Sequence, residues 1–105
     1  DIVEIMNELL SKKEVKILLS DHSGWTYNGN RIKREVLFEH YMDSIEFVNS
    51  LAIKAENLDH HPNLSIGYCN IIVELTSHDL GGVTVDCLEL VKYIEFLISG
   101  LYKKC

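Results

Sequence analysis

The chain has 105 residues, enough for one domain around a single two-layer core, and with 47% of them apolar it does not read as a disordered segment. A net charge of −6 argues against a nucleic-acid binder, which needs Lys and Arg to displace the counterions of phosphates; no apolar run approaches a membrane span. Cys69, Cys87 and Cys105 are odd in number and lack metal-type spacing, which speaks against a disulfide framework or a cysteine zinc site and for a reducing compartment.

In chain order, Ile2, Ile5, Met6 and Leu9 stand at helical spacing, so a helical piece is expected over Asp1 to Leu10. The chain starts at Asp1 rather than Met and carries no basic-then-apolar leader; a leader already trimmed away stays open. Ser11 with Glu14 makes a capping box for a helix from about Lys12 to Ser20, closed by Asp21-His22-Ser23-Gly24. Trp25 to Phe38 reads as a hairpin turned at Asn28-Gly29, with Ile32, Arg34, Val36 and Phe38 on one face of the return strand. From Tyr41 to Leu58 the period is helical: Tyr41, Ile45, Val48, Ala52 and Ala55 make one stripe, widened by Phe47, Leu51 and Leu58. Pro62 then pushes His61 into extended backbone. A short strand around Leu64 to Tyr68 leads into a longer one, where Ile71, Val73 and Leu75 alternate with Ile72, Glu74, Thr76 and His78. Gly81-Gly82 turns the chain, Thr84 reads as an N-cap, and an amphipathic stripe runs from Cys87 to Leu101, leaving Leu88 and Phe96 outside it for a further contact, such as another subunit. The order helix, strand, strand, helix, two strands, helix implies an α+β two-layer sandwich.

The stretch from Glu56 to Asp86 gathers the titratable groups. His60, His61 and His78 stand at its two ends, with Glu56 in the last turn of a helix, where a carboxylate meets the negative end of the dipole, and Asp86 in the first turn of another. Imidazoles that titrate near neutral pH can share acid and base roles in an elimination or hydration. Glu56 and Asp86 could orient an imidazole or bind a ligand N–H, and Trp25 could stack on a flat heterocycle. The bland alternatives are a solvated helix glutamate, a first-turn aspartate and a hairpin tryptophan; His22 and His40 read as surface residues without a role. Three histidines with a carboxylate also suit zinc. Adjacent residues of an extended chain point to opposite sides, however, so one ion held by both His60 and His61 would need a sharp bend, and a metal is not favoured.

Glu56-Asn57-Leu58-Asp59-His60-His61-Pro62, with Tyr68 six residues past the proline, His78 ten further on and Asp86 eight beyond that, resembles the signature of the pterin-4a-carbinolamine dehydratase family. Gly24-Trp25, Ala55-Glu56 and Gly81-Gly82-Val83-Thr84 are similar too, and the resemblance covers about Ser11 to Leu101 of what reads as a single domain over residues 1–105. It implies a four-stranded antiparallel sheet with three helices on one face, in the order α-β-β-α-β-β-α. It implies loss of water from a 4a-hydroxytetrahydropterin to give quinonoid dihydropterin, in recycling of the tetrahydrobiopterin cofactor, without a metal or other cofactor. Carried over by position, His60, His61 and His78 are the catalytic histidines, with His60 and His78 as the principal acid/base pair and His61 orienting the pterin. Glu56, Asp86 and Trp25 are the substrate-binding residues.

The resemblance further implies a cytoplasmic homodimer or homotetramer, also nuclear in members that dimerise with a homeodomain transcription factor. No residue here supports that partnership, and neither a direct nucleic-acid nor a membrane partner is expected. His40, where many members carry an acidic residue, and Leu64, where an aromatic is common, depart from the pattern. A non-catalytic oligomerisation or coactivator module on the same fold, and a zinc hydrolase, are the competing readings.

Overall fold

The computed structural model describes residues 8–100. Three helices and four strands follow one another as α1 (Lys12–Leu19), β1 (Thr26–Asn28), β2 (Arg31–Leu37), α2 (Tyr41–Leu58), β3 (Asn63–Gly67), β4 (Asn70–Leu75) and α3 (Val85–Gly100). The strands form one antiparallel sheet in the order β1-β2-β4-β3. This is the α+β arrangement expected from the sequence.

Strand alternation decides which sheet face the helices cover. Ile32 lies opposite Leu75 and Val36 opposite Ile71 across the β2–β4 pair, and all four are buried. They join Val15 and Leu19 of α1, Phe47 and Leu51 of α2, and Leu90, Val91, Ile94 and Leu97 of α3 in one core. Each such side chain, fully withdrawn from water, contributes roughly 1.5–3 kcal/mol. The alternate residues Lys33, Glu35 and Leu37 are exposed on the other face.

Local chemistry sets the element ends. In α1 the Ser11 amide donates to Glu14 Oε1 at 2.8 Å and the Glu14 amide donates to Ser11 Oγ at 3.1 Å, a complete capping box. In the first hairpin Asn28 pairs with Arg31, so the two loop residues are Gly29 and Asn30, one position later than the Asn28-Gly29 reading. Gly29 alone of the four has a positive φ, 66°, as suits a turn with glycine at its first central position.

Three expectations need correction. Residues 1–7 of the supposed leading helix lie outside the described residues, but Leu9 forms a β-bridge with Thr84 and the Leu10 amide donates to the Val83 carbonyl at 2.9 Å. Backbone pairing with the segment before α3 therefore displaces the helical pattern there. The buried stripe of α2 is Ser44, Phe47, Leu51 and Ala55, rotated from the expected one, which leaves Tyr41 and Ala52 exposed. Burial of Ser44 is tolerable because its hydroxyl donates to the Tyr41 carbonyl at 2.6 Å. Leu88 is buried within the chain's own core, not left over for a partner, whereas Phe96 stays 62% exposed.

Candidate active site

The site begins where α2 stops. Asp59 adopts left-handed backbone, φ 51° and ψ 43°. Its amide donates to the Glu56 carbonyl at 3.1 Å, and the His60 amide donates to the Ala55 carbonyl at 3.0 Å. These are the two bonds of a Schellman motif, and they turn the chain off the helix axis at His60. Pro62 keeps the next step extended, so His60 and His61 lead straight into β3.

The third histidine arrives through the hairpin that follows. β3 and β4 are antiparallel neighbours, with Asn63 opposite Glu74. The residues just before Asn63 and just after Leu75 therefore lie side by side. Beyond β4, Ser77 bridges Gly82: the Ser77 amide donates to the Gly82 carbonyl at 2.7 Å, and the Gly81 amide to the Ser77 carbonyl at 2.8 Å. Gly81 supplies the positive φ, 73°, that closes this loop. His78 is its first residue. Thr76 anchors the loop from below, its hydroxyl donating to the Asn30 carbonyl at 2.6 Å.

The outcome is a cavity of about 250 Å³ lined by Asp59, His60, His61, Thr76, Ser77, His78 and Asp79. All three sequence-expected histidines line it. The two strands expected between the paired histidines and His78 form the β3–β4 hairpin, and its pairing brings the two ends together.

Each imidazole has its own environment. His61 is exposed, and its Nε2 is hydrogen-bonded to Oε1 of Glu56. Glu56 thus orients a ring rather than lining the cavity itself. His60 is half-buried, with Nε2 3.1 Å from the sulfur of the fully buried Cys87. Burial pushes the His60 pKa below its ordinary value; Asp86 counters this, His61 and His78 add to the lowering, and Asp59 opposes it. Burial thus favours the neutral ring. Asp86, in the first turn of α3, does not line the cavity but favours the charged form of His60 through space, and its Oδ1 is buried with no hydrogen-bond partner among the described residues.

Trp25 does not line this cavity. Its ring is 6% exposed, and Nε1 donates to Glu95 Oε1 on α3 at 2.8 Å, where Arg34 Nε also approaches to 3.1 Å. Tyr68 lies at the far turn of the β3–β4 hairpin, stacked on Tyr41. Cys87 is the residue at the site that sequence reasoning passed over. A signal existed: Thr84-x-x-Cys87 has the spacing of a capping box, with cysteine where Glu or Gln is usual. Among the described residues, no three His, Cys, Asp or Glu side chains are grouped as a metal donor set.

A cavity lined by three imidazoles, with Asp59 and Asp79 in the same lining, offers groups that can both give and accept protons to a small ligand. Comparison with known proteins then defines the class. Residues 8–97 match the family model described as Pterin 4 alpha carbinolamine dehydratase, and the chain belongs to that family. It is 38% identical over 86 residues to a protein of Sulfolobus acidocaldarius provisionally named pterin-4-alpha-carbinolamine dehydratase, covering 82% of this chain and 94% of the relative. A similarly named protein of Thermosynechococcus vestitus is 39% identical over 92 residues, covering 88% and 97%. Among solved structures, a transcriptional coactivator/pterin dehydratase from Brucella melitensis superposes with a TM-score of 0.79 at 28% identity, over 84% of this chain and 96% of that one. A pterin dehydratase-like protein described as a RuBisCO assembly factor in the alpha-carboxysome shares the fold, with a TM-score of 0.57 at 19% identity over 70% of this chain and 84% of that one.

Proposed function

We propose that this protein is a hydro-lyase that dehydrates 4a-hydroxytetrahydropterin to quinonoid dihydropterin, as one step in recycling a tetrahydropterin cofactor. The observation that carries this reading is the convergence of His60, His61 and His78 on one cavity in a chain of this family. In the reaction the N5–H bond and the C4a–O bond both break. The N5 proton goes to a base, the electron pair left on nitrogen forms the C4a=N5 double bond, and the hydroxyl leaves as water after taking a proton from an acid.

His60 and His78 act as the acid/base pair. His60, whose neutral form is favoured by burial, is the base at N5. His78, on the loop facing it, protonates the departing hydroxyl. His61, held by Glu56, orients the pterin, and Asp86, which lies behind the cavity lining, acts on the ligand through the charge it presents to His60. Trp25, committed to Glu95 and absent from the cavity lining, has no ligand contact in this scheme. The reaction needs only modest assistance, of the order of 10²–10⁴-fold, which positioned acid/base groups supply without a metal.

The free thiols Cys69 and Cys87 suit a reducing, cytoplasmic setting, and the exposed apolar Met42, Ile53 and Phe96 suit self-association into a dimer or tetramer. The test is direct. 4a-Hydroxytetrahydropterin is generated by an aromatic amino acid hydroxylase, and dihydropterin formation is followed with and without this protein. Acceleration at neutral pH is expected. Equal rates would leave the oligomerisation-module reading in its place.

A further inference from the structure

The buried thiol of Cys87 is not used in the scheme above, yet it is in hydrogen-bond contact with the His60 imidazole. Its sulfur is 3.1 Å from His60 Nε2, its side chain has no exposed surface, and Thr84 Oγ1 lies 3.8 Å from it on the other side. His60 Nδ1 has no protein hydrogen-bond partner among the described residues. Cys87 stands at the third position of α3, where the equivalent residue of α1, Glu14, spends its carboxylate on closing its own helix cap. At α3 the side chain turns instead to the imidazole.

We propose that Cys87 is a positioning residue for the dehydration: its sulfur accepts the Nε2–H of His60 while its own S–H turns to Thr84 Oγ1, so that the ring is held with Nδ1 as the free, basic nitrogen toward the ligand. This deepens the functional reading and rests on it. The chain of donors is self-consistent, because burial pushes the Cys87 pKa up, more strongly than its contacts with Thr84 lower it, and keeps the thiol protonated. An uncharged partner also orients the ring without stabilising the imidazolium form, as a carboxylate in hydrogen-bond contact would. The charged or titratable groups acting on His60 are then Asp86 from α3, Asp59 and His61 from its own segment, and His78 from the facing loop.

The experiment compares the parent protein with Cys87→Ala and Cys87→Ser. Long-range ¹H–¹⁵N spectra report the His60 tautomer, and dehydratase kinetics report the rate. In the parent, His60 is expected to carry its neutral-state proton on Nε2, with Nδ1 showing a pyridine-type shift. Cys87→Ala is expected to mix the tautomers and lower kcat roughly 10- to 100-fold with little change in KM. Cys87→Ser, whose hydroxyl still accepts the Nε2–H, is expected to restore the single tautomer and most of the rate. A parent His60 protonated on Nδ1, or a Cys87→Ala variant with the parent's tautomer and rate, would overturn the proposal. Because the spectra need no turnover, a protein with the expected tautomers but no dehydratase activity would contradict the functional reading instead.

Discussion

The Nε2 atom of His61 is hydrogen-bonded to Oε1 of Glu56, so the last turn of α2 holds the ring of a residue that lies beyond the helix. A carboxylate at that end of a helix faces the negative pole of the dipole and gains nothing from it. Its partner explains its position: the Schellman turn at Asp59 folds the chain back far enough for His61 to reach it. Glu56→Gln keeps the length of the side chain but removes its charge. The variant is expected to raise KM for the pterin several-fold with a smaller effect on kcat, since the proposed role of His61 is to orient the ligand rather than to transfer protons. Steady-state kinetics with both parameters resolved provide the check; an unchanged KM would separate Glu56 from ligand binding.

Much of this arrangement could be read from the chain, because the signals were local. The Ser11–Glu14 box, the limits of α2 and the extended entry forced by Pro62 depend on residues within a few positions of one another. What the sequence concealed is long-range or self-compensated. Ser44 is polar and so stands outside any apolar stripe, but its bond to the Tyr41 carbonyl lets it sit in the core. Leu9 carried a helical pattern, but backbone pairing with Thr84 overrode it. Trp25 and Glu95 are 70 positions apart, and Cys87 is 27 from His60; nothing in the spacing links either pair.

Trp25 gives a prediction about stability. Replacing it with Phe removes the Nε1 donor to Glu95 while leaving a buried aromatic ring. A loss of about 1–2 kcal/mol in urea unfolding is expected, with pterin kinetics within about twofold of the parent. A rise in KM well beyond that would return Trp25 to direct contact with the ligand.

His60 makes stability depend on pH in a defined direction. Its pKa in the fold lies below the ordinary 6.5 that it regains on unfolding, so between the two values the unfolded chain binds more protons. Stability therefore rises with pH across the window just below 6.5, and the penalty is complete below the folded-state pKa. His60→Asn is expected to flatten that part of the profile, read as urea midpoints on either side of the window. A parallel profile in parent and variant would mean that burial does not hold the ring neutral.

The proposed proton-transfer roles of His60 and His78 are tested most directly by the dehydration rate of 4a-hydroxytetrahydropterin in the His60→Ala and His78→Ala variants, measured together with dihydropterin affinity. Each substitution is expected to lower the rate of the catalysed step by roughly 10²-fold or more while dihydropterin affinity changes little. Parent-level rates in both variants, or a loss of rate that only mirrors a loss of affinity, would contradict those roles.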